Sequence, residues 1–378
     1  MSAPKATARL VGSAKEIGPA RWNALANPES AADPHPFTTY AFFSALEESG
    51  SASAETGWQP CHLLTGDALM PLYLKGHSQG EYVFDHAWAD ALERAGGDYY
   101  PKLQCAVPFT PVTGPRLLAA TDAAKAELLR FAGGALGQLG ASSLHITFPL
   151  ESECKLAGDA GWLLRTGQQF HWNNPGYRDF TDFLGELSSA KRKNLRKERD
   201  NVAKAGISFQ WLTGEDITES HWDRFFAFYM DTGSRKWGTP YLTRDFFSRL
   251  GEGLRHQTLL VMAMKDGEAI AGALNLFGGG VLFGRNWGAV QHVPFLHFET
   301  CYYQAIDFAI ARGLKRVEAG AQGEHKLLRG YMPVPTYSAH LIAHPGLSRA
   351  VADFLARERG AMNEYMSELA KASPFRKA

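Results

Sequence analysis

Three apolar runs, Leu259–Met264, Ala269–Phe277 and Val281–Trp287, follow one another with only short turn sequences between them. Runs of this length joined by Asp266-Gly267 and Gly278-Gly279-Gly280 fold as an antiparallel meander, because these residues supply the positive φ of tight turns. The glycine triplet joins two strands and not a strand to a helix, so it reads as a hairpin turn and not a phosphate loop. After the meander the period changes. From Phe298, Tyr302, Ala305, Ile306, Ala309 and Ile310 keep the spacing of one helix face, with the start near 294–297 and Gly313 as the stop. Val317 and Ala319 alternate as in a short strand, and Thr336–Ile342 reads as another. The chain is therefore mixed α/β, and its polar residues between 294 and 340 fall at a helix start and at a strand end. α/β proteins place their sites there, because backbone N–H groups are free at helix starts.

Upstream, Ala8–Val11 and a helical stretch around Trp22–Ala26 precede the break Asp33-Pro34-His35-Pro36. A helix from Thr38 leads to short runs at Trp58–Leu64, Ala68–Leu74 and Glu81–Phe84, read as strands. The remaining helices are expected at Trp88–Ala95 and Ala123–Leu139, with a strand at Ser143–Phe148. Four prolines between Tyr99 and Leu118 limit any strand there to Leu103–Val107. The most charged segment, 188–206, carries seven basic and two acidic residues between Lys191 and Lys204. Leu187, Leu195 and Val202 share one face and Gly206 ends the helix. Strand Ile207–Leu212, an aromatic helix Trp222–Met230 with Trp237 beyond it, and a terminal helix Leu347–Leu369 complete the reading.

A length of 378 residues suggests two domains. The boundaries expected are a segment 1–34, a first domain 35–164, a second domain 165–345 containing the basic helix, and a terminal helix in 346–378. Lys plus Arg balance Asp plus Glu at 39 each, so any basic surface is local. The four cysteines form no CxxC pair, which argues against a zinc ribbon or a disulfide scaffold. No apolar run reaches the 18 to 20 residues, roughly, of a membrane span, and the N-terminus has no signal-like core, so the expected location is cytoplasmic, peripheral at the inner membrane.

The order of elements in the second half, together with AKRKNLRKERDNVAKAGI, MKDGEAIAGALNL, HFETCYYQAIDFAIARG and GAQGEHKLLRG, resembles the FemAB-like branch of the GNAT acyltransferase superfamily. GEYVFDHAWADAL and YYPKLQCAVPFTPVTGPRLL in the first half resemble its peptidoglycan biosynthesis or recognition subgroup, so the likeness covers roughly 35–345. It implies two tandem GNAT-type domains, each a mixed, largely antiparallel sheet flanked by helices. It also implies an N-acyltransferase that passes an acyl group from acyl-CoA to a small-molecule or lipid-like amine of the cell envelope. The alternatives it leaves are an aminoacyl-tRNA donor, as in the Fem ligases, and an inactive module binding anionic polymer or membrane. The Arg/Gln-x-x-Gly-x-Gly/Ala coenzyme A signature of ordinary GNAT enzymes is absent; its position reads HVPFLHFE.

Amide formation from a thioester or ester needs a base for the amine, a donor to the oxyanion and alignment of the substrates, with no metal. His297, Glu299, Glu324 and His325 are the candidate acid–base groups, His297 first, with Glu299 two residues away as its orienting partner. Glu299 has a structural alternative as a favourable charge in a helix's first turn. Lys326, Arg329, Arg285 and Asn286 are expected to hold the donor. Arg192, Arg196 and Arg199 on the basic helix, with Gln322 and His340, are candidates for substrate or anion binding. The alternatives are a solvated charged face for the helix and an interior histidine for His340. Tyr302 and Tyr303 read as core. A zinc site from His297, Glu299 and His325 lacks the Cys pair or HExxH that would support it.

Overall fold

The computed structural model describes residues 7–28, 32–236, 240–320 and 323–376. Trp237 and Gln322 lie outside them. The chain divides into two compact units, one of Met1–Gly167 with Pro335–Tyr365 and one of Gln168–Val334 with Met366–Ala378. Each is built on mixed, largely antiparallel sheet flanked by helices, as the family resemblance implies, with a second small sheet in the first unit. Residues 335–345 fall in the first unit, whereas the sequence reading put them in the second domain, and the terminal segment 346–378 is divided between the units after Tyr365. No helix among the described residues is long and apolar enough to cross a membrane.

In the first unit Arg9–Val11, His62–Leu64, Ala68–Met70 and Leu118–Ala119 form a small antiparallel sheet. A second sheet runs Trp58–Pro60, Leu72–Lys75, Lys102–Cys105, Ser143–Thr147 and then residues 338–342 of strand Met332–Ile342. Lys102–Cys105 and Ser143–Thr147 are parallel, and helix Asp122–Gln138 lies in the connection between them. Leu128, Leu129 and Ala132 of that helix pack with Leu103, Leu144 and Ile146 in the core. Residues 81–84 do not form the expected strand. Tyr82 has φ 60°, and Glu81 is buried with its carboxylate 2.7 Å from Lys102 Nζ, so a buried ion pair has displaced ladder pairing. Helix Glu151–Asp159 was not expected from the sequence.

In the second unit the strand order is Ile207–Thr213, Thr258–Lys265, Glu268–Gly278, Val281–Ala289, Arg316–Glu318 and residues 171–173 of strand Leu163–Asn173. The three-stranded meander stands where the sequence puts it. Helix Arg244–Gly253, unexpected from the sequence, starts at Thr243, whose hydroxyl accepts from Phe246 N at 3.3 Å, and buries Phe246, Phe247 and Leu250. Helix Glu219–Lys236 crosses the meander at Gly288. A Cβ there would lie 2.3 Å from the Phe228 carbonyl, so only glycine allows this approach. Tyr302, Tyr303, Ala305, Ile306 and Ala309 turn one face of the following helix into the core with Leu259, Val261, Leu282 and Val317.

Candidate active site

Two irregularities shape the middle of the second unit's sheet. Opposite Leu274 and Asn275 stand Asn286 and Gly284, so Arg285 is an extra residue, a bulge on strand Val281–Ala289. The same strand pairs in parallel with Arg316–Glu318 only over Val281–Phe283. Beyond that register the two strands are no longer paired, and among the described residues the edge from Gly284 to Ala289 has no ladder partner on that side. The chain then turns through Phe295 in the left-handed region, φ 66°, into a helix whose start has no side-chain cap.

That helix is α-helical at Leu296–Phe298, π-helical at Glu299–Tyr303 and α-helical again at Gln304–Ala311. The wider turn brings residues five apart onto one side. The His297 ring thus stands 5.4 Å from Tyr302, 5.3 Å from Trp287 and 6.4 Å from His325, between ring centres. His325 Nε2 is 2.9 Å from Tyr302 Oη. Its ring lies over Gly323, where a Cβ would come within 2.4 Å, and Gly323 has φ +116°. Partial burial, then the neighbouring Arg329 and Lys326 charges, lower the basicity of His325. Glu324, on the same turn, is exposed.

Arg329 holds this arrangement in place. Its guanidinium lies 3.5 Å over the Phe298 ring, donates Nη1 to the His325 carbonyl at 2.7 Å, and grips both oxygens of Glu198 at 2.8 and 2.9 Å. Tyr303 Oη also donates to Glu198. Lys326 is buried, donates to the Gly320 carbonyl at 3.1 Å, and burial lowers its pKa to about 8.

The expected pairing of Glu299 with His297 is replaced by another. Arg199 Nη2 lies 3.0 Å from Glu299 Oε1 and 2.7 Å from Asp307, and Gln304 donates to Glu299 at 2.8 Å. Burial raises the Glu299 pKa against the lowering pull of Arg199. Arg199 is accordingly an internal ion-pair partner and not an exposed anion ligand, because helix Ser189–Lys204 turns Leu195, Glu198 and Arg199 toward the helix of His297. Of its seven basic residues only Arg199 forms an ion pair with a described residue. Six cations, including Arg192, Arg196 and Lys197, are therefore left against the single unpaired carboxylate Asp200. His340 belongs to the first unit, where its Nδ1 is 2.8 Å from His145 Nδ1 and Trp88 packs edge-on at 4.9 Å; it is an interior histidine.

Sequence reasoning missed a second group on the same sheet. Glu318, at the register where the parallel pair ends, is 2 % exposed. Arg316 Nη2 forms an ion pair with its Oε1 at 2.8 Å, but both carboxylate oxygens are buried without a hydrogen-bond donor of good geometry. Across the ladder stands His171, its Nε2 3.8 Å from that Oε2 and 3.2 Å from Gln169 Oε1. Burial raises the Glu318 carboxyl to about 7, opposed by Arg316 and Arg285. Burial, with Arg316 and Lys326, lowers His171 to about 3, so this imidazole is neutral. In the sequence, Val317 and Ala319 made Glu318 look like the outward residue of an alternating strand. The only available signal was a carboxylate next to the glycine-rich turn.

A family model described as FemAB-like, peptidoglycan biosynthesis/recognition, matches residues 13–377. No curated protein sequence matches. Among solved structures the fold is similar to FemX, with a TM-score of 0.55, 10% identity, and coverage of 89% of this chain and 98% of that one. It is similar to the C-terminal domain of a putative lysylphosphatidylglycerol synthetase from Agrobacterium fabrum, at 0.53 and 12% identity over 91% and 97% of the two chains. The L-PGS of Bacillus licheniformis gives 0.52 and 12% identity over 85% and 98%. At such identities the likeness is one of fold.

Proposed function

The chain belongs to the FemAB-like family and has its tandem GNAT-type fold, and from that premise we propose that it transfers an acyl group from an activated carrier to an amine of a cell-envelope or lipid precursor. The observation that carries the reading is the parting of strands Val281–Ala289 and Arg316–Glu318, with titratable groups on the segments that follow each: His297 and Tyr302 on the helix after the first, Glu318, His325 and Lys326 on and after the second. A carrier laid along the unpaired edge from Gly284 to Ala289 would have main-chain donors beside it, with Arg285 and Asn286 on the bulge. The helix start at Leu296 offers its first-turn N–H groups to a phosphate.

In this reading the donor is an acyl-CoA. The amine attacks the thioester carbonyl, His297 takes the proton that the nitrogen sheds on attack, and the Tyr302–His325 pair returns a proton to the departing sulfur. Lys326 and Arg329 set the local positive field in which the oxyanion forms. The reading keeps the enzyme on the cytoplasmic side, at the inner-membrane surface where such acceptors are made.

One observation favours a second donor, an aminoacyl-tRNA. The exposed cations of helix Ser189–Lys204 have no described ionic partner, and its apolar residues Leu195 and Val202 are buried, so this face suits a phosphate backbone better than insertion into lipid. Calorimetric titration with coenzyme A and a series of acyl-CoAs, beside mass spectrometry of co-purifying ligands, tests the donor. Saturable binding of an acyl-CoA is expected. No heat with any thioester, together with tight binding of charged tRNA, would transfer the role to the second donor. Failure of both would remove the transferase reading.

A further inference from the structure

The oxygen Glu318 Oε2 is a buried acceptor with no donor, and such groups are rare because each forfeits a hydrogen bond and its desolvation. A partner must therefore suit what surrounds it. Arg316 already holds Oε1 from a position whose side chain is 42 % exposed. His171, facing Oε2 at 3.8 Å, is too far for a hydrogen bond and has Gln169 on the same nitrogen. Lys326 points to the Gly320 carbonyl. Among the described residues none donates a hydrogen bond to Oε2. What fits is a small cationic donor with more than one N–H, able to give one to Oε2 and another to Gln169 Oε1, which already accepts from His171 Nε2.

We propose that Glu318, with His171 and Gln169, is the acceptor site of the transfer reaction, where the primary ammonium of the second substrate docks and loses its first proton. This rests on the transferase reading above. It supplies what that reading lacks, since an alkylammonium must give up two protons on the way to an amide and His297 accounts only for the second. Docking places R–NH3+ on the carboxylate, with Arg316 yielding part of its contact. The first proton passes from nitrogen to Glu318, leaving R–NH2 and the neutral acid. The nitrogen lone pair then forms the C–N bond, the carbon–sulfur (or ester carbon–oxygen) bond breaks, and the second N–H proton goes to His297. The Tyr302–His325 pair protonates the departing carrier and is restored by the proton His297 gives up, so the products are the amide and the protonated carrier, and Glu318 returns its proton to solvent. The burial that raises the Glu318 carboxyl suits this role, because an ordinary carboxylate is too weak a base for an alkylammonium. An uncharged hydroxyl acceptor could give Oε2 one hydrogen bond but would bring neither the charge nor a second N–H.

The test uses the full chain, n-butylamine as probe and n-butanol as its uncharged counterpart, with coenzyme A titrated separately. Saturable binding of butylammonium is expected, with affinity rising about tenfold from about pH 6 to about pH 8 as the carboxyl ionises, and butanol should bind at least about tenfold more weakly at about pH 8. Glu318→Gln should weaken the amine at least about tenfold and leave coenzyme A affinity unchanged. Equal amine binding by a well-folded Glu318→Gln protein, the absence of saturable amine binding to the native protein, or a flat pH profile would each overturn the acceptor site. The transferase reading would survive those results if a donor still binds. Amine binding that depends on Glu318 in a protein that binds neither thioester nor charged tRNA would do the reverse, sparing the site and sinking the reaction.

Discussion

If Glu318 is held protonated by burial, replacing it with glutamine should make the protein more stable, and only above the pH at which an ordinary glutamate ionises. In the native protein the carboxyl moves from the ordinary 4.5 to about 7, chiefly by burial. Below 4.5 the group is protonated whether the chain is folded or not, and its contribution to stability is complete. Between 4.5 and 7 the unfolded chain ionises while the folded one keeps its proton, so stability falls as pH rises. Above about 7 the loss is complete and amounts to about 3 kcal/mol. About three quarters of it falls between about pH 5 and about pH 8. Glutamine has the same shape and does not titrate, and what it loses of the half-exposed Arg316 contact is on the order of 0.5 kcal/mol and nearly the same at both pH values. Urea unfolding of the native and Glu318→Gln proteins at the two pH values should give stability differences that diverge by about 2 kcal/mol in favour of the variant at the higher pH. Comparing the variant with the native protein at each pH cancels every other titrating group. A divergence below about 0.5 kcal/mol, or one of opposite sign, would show that Glu318 ionises normally and would refute the burial argument.

His297→Gln should lower kcat by roughly 100-fold with little change in melting temperature, and full activity in a folded variant would exclude His297 as a proton acceptor. On the basic helix, Arg192→Glu, Arg196→Glu and Lys197→Glu together should abolish RNA binding and flatten its salt dependence while leaving the melting temperature nearly unchanged; retained binding would return that face to plain solvation. Arg199→Glu should behave quite differently, costing about 3 kcal/mol of stability by stranding Glu299 and Asp307, as a chemical denaturation curve would show.

The parts of this molecule legible in the sequence are those fixed by neighbours along the chain. The meander from Thr258 to Ala289 and the helix ending at Gly313 announce themselves by period and turn residues. Helix Arg244–Gly253 carried its signal too, in the Thr243 cap and the spacing of Phe246, Phe247 and Leu250, but it is short and highly charged. The site was only partly legible because its decisive contacts join distant positions. Glu318 meets His171 across 147 residues by ladder register, and a slip of one residue would turn it to the other face of the sheet. The π-helical turn, which seats Tyr302 beside His297, has no composition of its own and is fixed by packing.

Glu198 and Arg199 show the same limit from another side, since seven cations in sixteen residues read as one charged surface. They are adjacent, and both turn inward: Glu198 is clamped by Arg329 and Tyr303, and Arg199 is fixed between Glu299 and Asp307. The basic helix is therefore tied at one level to the turn that carries His325 and to the helix that carries His297. A polyanion on Arg192, Arg196 and Lys197 would pull on an element whose inner face positions the acid–base groups. Those two pairings are stiff, because displacing Glu198 or Arg199 leaves the buried Arg329 or Glu299 without its ionic partner. A donor carrier held on the outer face would then be in register with the site without any contact of its own to the reacting atoms. Under the proposed reading the charge pattern would then have a mechanical role that charge counting alone does not reveal. Combining Arg329→Met with the outer-face reversals would separate the two effects: the first should disturb turnover but not RNA binding, and the second should disturb RNA binding first.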